Sequence, residues 1–254
     1  MVWIKACLNG GQTRAEHPAV PVTPDEVAAA AAASVGAGAV AVHLHQRDAA
    51  GRQSLRAVDV GAVVAAVRRA CPGLPVGVTT GLWISAGDVG RRLAEVTRWA
   101  DLPVGERPDF ASVNVGEPGF ADLVAALRAA GIGVEPGVWS IADALALALA
   151  LAGAGAGPWV RVLVEVPDGP VGTATADADA ILARLDDLAV PGPRLLHGDG
   201  ARCWPLVAHA GRLGLATRIG LEDVLVGPDG EPVADNADLV RRAVTVWGAA
   251  RRPV

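Results

Sequence analysis

Short runs of β-branched residues alternate with longer segments rich in Ala, Leu and Arg along the whole chain. This alternation is typical of repeated βα units, in which each parallel strand is followed by a helix. Eight strands are predicted, at Val2–Leu8, Ala39–His45, Leu74–Thr80, Phe110–Val113, Ile132–Glu135, Trp159–Val164, Arg194–His197 and Ala216–Gly220.

A helix is expected after each of these strands. The first is predicted to begin at Pro24 with Thr23 as its N-cap, because proline suits the first helical position and a threonine hydroxyl accepts a backbone hydrogen bond there. Periodic apolar positions predict further helices at Ser85–Thr97, Phe120–Ala130, Ser140–Leu151, Asp177–Leu188, Pro205–Leu213 and Leu239–Ala250.

Eight βα units in 254 residues match a closed (β/α)8 TIM barrel. The competing fold is an open doubly wound sheet, which a Gly-rich phosphate loop after the first strand would favour. The run Leu8–Gln12 reads Leu-Asn-Gly-Gly-Gln and matches neither nucleotide-binding motif. We therefore predict an α/β protein with one TIM-barrel domain over residues 1–254.

Composition excludes several partners. The net charge of −5 argues against nucleic acid and anionic membranes, because both require a basic face. The most lipid-like stretch, Ala142–Gly157, contains Asp143 and is too short to span a bilayer, so a buried helix is predicted. Cys7, Cys71 and Cys203 form no C-x-x-C pair, which indicates buried thiols in a reducing compartment. Together with the lack of a signal-like leader, this predicts a cytoplasmic location.

Two histidines close the second strand, where the active site of a TIM barrel lies. His43 and His45 are separated by one residue, so strand alternation aims both imidazoles into the barrel mouth. Two imidazoles on one face at this spacing can share one divalent metal ion. The alternative is a hydrogen-bonded histidine pair, because H-x-H alone is a weak motif.

A third metal ligand is expected from another strand end. Glu222 follows the eighth strand and shares parity with Arg218, and two histidines with one carboxylate leave open positions for water or substrate. Asp223 could act as a base or as a carboxylate behind the metal. Arg218 could steady Asp223 or a substrate carboxylate by a bidentate contact. A surface salt-bridge cluster is the alternative interpretation.

Other strand ends carry neutral polar residues. Thr79 ends the third strand, and Ser112 and Asn114 end the fourth, where hydroxyl and amide groups suit a small carboxylate or carbonyl substrate. His197 ends the seventh strand and could line the mouth. Lys5 is the only lysine and lies within the first strand, which argues against a Schiff-base aldolase with a lysine at the mouth.

At these residues the chain resembles the β-keto acid cleavage enzymes, also called the 3-keto-5-aminohexanoate cleavage enzyme family. No single one of the matching sequence runs is specific to this family, but their combination, in order along nearly the whole chain, is specific. The runs that carry the resemblance are Asn9–Gly11, His17–Glu26, Ala37–Asp48, Thr79–Gly81, Ser112–Gly116 and Arg218–Asp223.

The resemblance implies a TIM barrel with one Zn²⁺ ion bound by His43, His45 and Glu222. It also implies a transferase reaction in which a β-keto acid reacts with acetyl-CoA, the cosubstrate, to give acetoacetate and a new CoA thioester. Asp223 and Arg218 match the acid/base pair of the family. A homo-oligomer, either a tetramer or a dimer, is expected on the same basis.

Substrate residues follow from the same resemblance. Thr79 and Ser112 match the positions that hold the keto acid carboxylate, and Asn114 is predicted beside them. Members that act on an amino-keto acid carry a glutamate near the end of the first strand, where the nearest match here is Gln12. They also carry an acidic residue after the fifth strand, where this chain has Gly137.

These departures predict an uncharged or anionic β-keto acid, although Glu135 lies nearby and could substitute for the missing acid. The chain also resembles a shorter branch of the family, so its contacts with CoA are expected to differ.

Two other functions remain open. A hydrolase of the amidohydrolase type also uses H-x-H at a strand end, but it needs more histidines from later strands and often a carboxylated lysine. A barrel that has lost catalysis and serves as a binding or sensing module would keep a metal site without turnover.

Overall fold

The computed structural model describes residues 3–154 and 159–251. Within these ranges eight parallel strands form one sheet, in the order β7-β6-β5-β4-β3-β2-β1-β8. The strands are β1 (Ile4–Cys7), β2 (Ala41–Leu44), β3 (Val76–Thr79), β4 (Phe110–Asn114), β5 (Gly133–Val138), β6 (Val162–Val166), β7 (Arg194–Gly198) and β8 (Thr217–Ile219).

The sheet closes on itself between β7 and β8. Leu195 and Ala216 form a parallel bridge. The Leu196 amide donates to the Ala216 carbonyl at 3.0 Å, and the Thr217 hydroxyl donates to the Leu196 carbonyl at 2.8 Å. The described residues therefore form a (β/α)8 TIM barrel, as predicted, and the open doubly wound sheet is wrong.

Eight helices follow the strands within the described ranges. The predicted start of the first is confirmed, since the Thr23 side chain accepts the Glu26 amide and the Glu26 carboxylate accepts the Thr23 amide in a capping box. The helices are α1 (Pro24–Gly36), α2 (Ala57–Ala70), α3 (Val89–Thr97), α4 (Phe120–Ala129), α5 (Ile141–Ala154), α6 (Ala174–Asp187), α7 (Cys203–Leu213) and α8 (Asn236–Arg251).

The predicted third helix begins too early. Ser85 closes a short 3-10 turn, Leu82–Ser85, and the next two residues, Ala86 and Gly87, have φ values of 55° and 83°. This left-handed backbone interrupts the helix, so α3 begins at Val89.

Two boundaries of the sequence-based prediction fall at undescribed positions. Val2, the first residue of the predicted first strand, and residues 155–157 of the apolar stretch lie outside the described residues.

The prediction that α5 is a buried helix is wrong for one face. Ala144 and Leu147 are fully buried, whereas Ile141, Leu145 and Leu149 are exposed by 52%, 41% and 66%. Four-residue spacing puts these three side chains on one side of the helix. Because nearly every residue of α5 is apolar, the pattern could not reveal which side faces solvent. None of the described helices combines the length and apolarity needed to cross a membrane.

A buried ion cluster lies inside the barrel. Lys5 Nζ binds Glu135 Oε2 at 2.5 Å, and Arg161 binds the other oxygen of the same carboxylate. Both Lys5 and Glu135 have fully buried side chains. The Arg161 guanidinium lies 3.9 Å from the centre of the Trp3 ring, a cation–π contact. Two cations therefore share the Glu135 carboxylate, and both of its oxygens are occupied by these ion pairs.

We expect Glu135→Gln to lower the free energy of unfolding by about 3–5 kcal/mol, because it leaves Lys5 and Arg161 buried without a counter-charge. Urea denaturation measures the change. The matched control is Arg52→Gln, which removes an ion pair whose arginine is 79% exposed and should cost less than about 1 kcal/mol. Equal losses in the two variants would contradict this account of the cluster.

Candidate metal centre and active site

The three predicted metal ligands meet at the carboxyl end of the barrel. His43 lies near the end of β2, and His45 follows directly after it. The Nε2 atoms of His43 and His45 each lie 3.7 Å from Glu222 Oε1. These three residues form one of the groups of described side chains whose donor atoms are close enough to hold one metal ion.

The donor set fits a divalent cation. Ligands about 2.1 Å from a tetrahedral metal ion lie about 3.4 Å apart, close to the 3.7 Å separations observed. Glu222 Oε2 is buried and has no hydrogen-bond partner, as expected of an atom reserved for a ligand. Burial, together with the neighbouring His45, lowers the pKa of His43 well below its usual value. The imidazole is therefore neutral and can offer a lone pair.

Glu222 remains ionised although it is buried. Burial alone would raise its pKa, but Arg218 and the two imidazoles outweigh that effect and hold the pKa well below its usual value. The Arg218 guanidinium lies 3.0 Å from Glu222 Oε1. The site therefore holds a carboxylate with full negative charge at the point where two imidazoles converge.

Glycines allow the Glu222 carboxylate to reach this point. β8 ends at Ile219, so Glu222 lies in the turn that follows the strand. The turn, and not the alternation of side chains along a strand, sets the direction of the Glu222 side chain. A Cβ atom on Gly220 would lie 1.8 Å from the Cys7 carbonyl oxygen, so only glycine permits this approach of β8 to β1. Gly10 has a φ of +49°, and a Cβ there would lie 2.5 Å from Glu222 Cγ.

Two buried asparagines fasten the loops that carry the ligands. Asn9 accepts the His45 amide at 2.8 Å and donates to the His45 carbonyl at 3.0 Å. Asn236 accepts the Leu221 amide at 2.9 Å and donates to the Leu8 carbonyl at 2.9 Å. Side-chain amides thus replace the missing strand hydrogen bonds on both sides of β1. The sequence did not predict this role for either asparagine.

Arg218 also pairs with Asp223. Its Nη2 lies 2.6 Å from Asp223 Oδ1, and both side chains are almost fully buried. Burial raises the pKa of Asp223 well above its usual value, and the charge of Glu222 adds to this, although Arg218 opposes it. A carboxylate with a raised pKa and a fixed orientation is suited to act as a general base.

Gln53 sets the orientation of the His45 ring. Its Oε1 lies 2.7 Å from His45 Nδ1 and 3.3 Å from Trp83 Nε1. The indole N–H of Trp83 can only donate a hydrogen bond, so the Gln53 atom that faces it is the amide oxygen. Because this oxygen only accepts, His45 Nδ1 must carry a proton and donate to it as well. The His45 Nε2 lone pair then faces Glu222. Gln53 lies in an irregular loop beyond β2, where no periodic pattern marks it.

The predicted substrate residues divide between two concave regions. Thr79, Ser112 and Asn114 line the barrel-mouth cavity, whose volume is about 60 Å³ and whose lining includes the metal ligands. Gln12 does not line this cavity, so it is separated from the other three predicted substrate residues. The residues of the barrel-mouth cavity are His43, His45, Thr79, Gly81, Trp83, Ser112, Asn114, Trp139, Leu163, Glu165, Arg218 and Glu222.

Gln12 instead borders a larger cleft beside the β8 turn, here called the β8 cleft, of about 870 Å³. Apolar side chains such as Trp204 and Leu225 form much of its wall. Glu222 borders both spaces, and Asp223 borders the β8 cleft. The Glu222 carboxylate therefore lies between the two spaces.

One residue of the barrel-mouth cavity was missed because of a strand boundary. The predicted sixth strand stops at Val164, but β6 continues to Val166 and places Glu165 in the cavity. Glu135, considered as a possible substrate contact, is instead fully buried in its ion cluster. Gly137 lies on β5, where a Cβ would approach Asn114 Oδ1 to 2.9 Å.

The amidohydrolase alternative requires later histidines at the same metal. Among the described residues, His197 groups with Asp199 and Asp223, not with His43 and His45. The geometry therefore gives the hydrolase interpretation no additional metal ligand.

Comparison with known proteins identifies relatives by sequence and by structure. The model of a family described as beta-keto acid cleavage enzyme matches residues 1–254. An apo structure of ObcA superposes with a TM-score of 0.69 at 21% identity, covering 88% of this chain and 61% of that chain. A binary complex of ObcA with oxaloacetate gives a TM-score of 0.65 at 20% identity, covering 92% and 62%.

A third solved structure shares the architecture. The 3-dehydroquinate dehydratase from Geobacillus kaustophilus gives a TM-score of 0.58 at 14% identity, covering 98% of this chain and 93% of that chain. At these identities the structural matches establish the fold alone. The chain spans about three fifths of the length of the ObcA chains.

We expect Gln53→Ala to weaken binding of a divalent metal by roughly 10–100-fold, because the His45 ring loses the acceptor that fixes its orientation. Competition with a chromophoric chelator measures the affinity. Gln53→Glu, which restores an acceptor, should recover most of it, and Arg52→Gln in the same loop serves as the control. Unchanged affinity in Gln53→Ala would show that Gln53 does not orient a metal ligand.

Proposed function

The chain belongs to the beta-keto acid cleavage enzyme family, and on that premise we propose that it is a zinc-dependent transferase. Its reaction would convert a β-keto acid and acetyl-CoA into acetoacetate and a new CoA thioester. The observation that carries the proposal is the convergence of His43, His45 and Glu222 beside the buried Arg218–Asp223 pair.

The bonds that change define the chemical task. The C2 carbon of the β-keto acid bonds to the acetyl carbonyl carbon as the acetyl C–S bond of acetyl-CoA breaks. The freed CoA sulfur then bonds to the keto carbon C3 as the C2–C3 bond breaks. One C2 proton must leave before the first bond forms and one must return when acetoacetate is released. The reaction therefore needs a base beside C2 and an electrophile on the keto oxygen.

Residues of this chain fit both needs. Zinc bound by His43, His45 and Glu222 would polarise the keto carbonyl and make the neighbouring C–H more acidic. Asp223 takes the C2 proton and returns it, since its raised pKa suits proton transfer in both directions. Arg218 holds the Asp223 carboxylate in place through the 2.6 Å contact.

The neutral polar wall suits the substrate carboxylate. Thr79 and Ser112 lie directly opposite each other on β3 and β4. The Asn114 amide donates to Glu117 at 2.9 Å, which fixes its orientation. We assign the carboxylate of the keto acid to this wall, where hydroxyl groups donate without adding a fixed charge.

The acyl-CoA partner is assigned to the β8 cleft. ObcA has been solved in a ternary complex with a C4-CoA adduct and oxalate, which supports a CoA thioester as the second substrate here. Asp223 borders the β8 cleft, and Glu222 borders both this cleft and the barrel-mouth cavity. Its apolar wall suits the uncharged pantetheine arm, and Gln12 then belongs to this second substrate.

A homo-oligomer, either a dimer or a tetramer, is also proposed. The exposed apolar side chains of Ile141, Leu145 and Leu149 on α5 support association between copies of the chain.

We expect the zinc-loaded protein to release acetoacetate when supplied with acetyl-CoA and a panel of β-keto acids. Asp223→Asn should lower kcat by about 10²–10⁴-fold while stoichiometric zinc is retained, because only the base is lost. A coupled assay for acetoacetate measures the rate, and Arg52→Gln serves as the control. Hydrolysis of an amide or ester by the same preparation, with no acetoacetate from any keto acid, would support the hydrolase alternative instead.

A further inference from the structure

The barrel-mouth cavity contains a carboxyl group that the proposed chemistry leaves unused. Glu165 lies on β6, two residues beyond Leu163, and both line the cavity. Its side chain is only 12% exposed. It therefore belongs to the wall of the substrate space and is not a solvated surface acid.

No hydrogen-bond donor from the described residues satisfies Glu165. His197 Nε2 lies 3.2 Å from Glu165 Oε2, yet both ring nitrogens of His197 lack a hydrogen-bond partner. The contact therefore lacks hydrogen-bond geometry, and the fully buried His197 leaves the carboxyl oxygens available. A ligand in the cavity can therefore offer a hydrogen-bond donor to this carboxyl group.

Strand order places Glu165 opposite the other functional groups. The metal ligands come from β2 and the β8 turn, and Thr79 and Ser112 come from β3 and β4. A β-keto acid bound to both of these groups directs its acyl chain toward β5 and β6. On that wall Gly137 contributes no side chain, and Leu163 and Trp139 are apolar. Glu165 is the polar group that the acyl chain meets there.

We propose that Glu165 accepts a hydrogen bond from the acyl chain of the substrate, so that the enzyme acts on β-keto acids whose acyl chain carries a donor, either a hydroxyl or an ammonium group. This inference rests on the proposed function. It narrows the sequence-based expectation of an uncharged or anionic substrate, because an anionic acyl chain could not donate a hydrogen bond to the Glu165 carboxyl.

Binding without turnover tests the proposal. Three β-keto acids of equal chain length, ending in a hydroxyl, an ammonium or a methyl group, are titrated by calorimetry into the zinc-loaded protein without acetyl-CoA. We expect both donor-bearing acids to bind roughly 10–150-fold more tightly than the methyl analogue, the range for a hydrogen bond to a charged group.

Variants at Glu165 separate the two donor types. Glu165→Leu should abolish the preference, whereas Glu165→Gln should keep the preference for the hydroxyl and lose that for the ammonium. Asp122→Asn serves as the control, because Asp122 is an exposed acid on α4 that lines neither the barrel-mouth cavity nor the β8 cleft. The control should retain the full preference.

Two contrary results have different meanings. Equal binding of the three acids to the unaltered protein, or a preference that survives in Glu165→Leu, would overturn the role of Glu165 and leave the proposed function standing. Failure of all three acids to bind would overturn the proposed function, and this inference with it.

Discussion

The negative charge of Glu222 is the feature on which the carboxyl end of this barrel depends. A buried carboxylate is tolerated only when cations or strong donors surround it. Here a guanidinium lies 3.0 Å from the carboxylate, whereas the two imidazole nitrogens at 3.7 Å offer lone pairs and no positive charge. The same guanidinium reaches Asp223, so the two carboxylates share one cation. A divalent ion between the imidazoles and Glu222 would supply the remaining positive charge, which explains why these groups converge.

The position of the Glu222 carboxylate constrains the backbone of the loops on both sides of β1. Gly10 and Gly220 leave room where any side chain would collide with Glu222 or with the Cys7 carbonyl. Asn9 and Asn236 then hold the adjoining loops by paired hydrogen bonds. Groups held this firmly need little rearrangement when substrate arrives, and such preorganisation is what electrostatic catalysis requires.

The barrel and the histidine pair could be predicted because each rests on a periodic signal. Strand alternation aimed His43 and His45 into the mouth, and the βα repeat indicated the closed sheet. Glu222 was predicted by parity with Arg218, although a turn presents it. Gln53 could not be predicted, because it acts from an irregular loop through one contact to His45. Glu165 was missed because an apolar run gives no sign of where its strand ends.

X-ray absorption at the zinc edge of the zinc-loaded protein tests the central claim most directly, since it reports the ligand atoms themselves. The account predicts scattering from two imidazoles with nitrogen and oxygen neighbours at about 2.0–2.2 Å. The imidazole signal should disappear in a His43→Ala/His45→Ala double variant. Cys7 forms another possible ligand group with Glu222 and Asp223. A sulfur neighbour at about 2.3 Å, or zinc without imidazole scattering, would contradict the account.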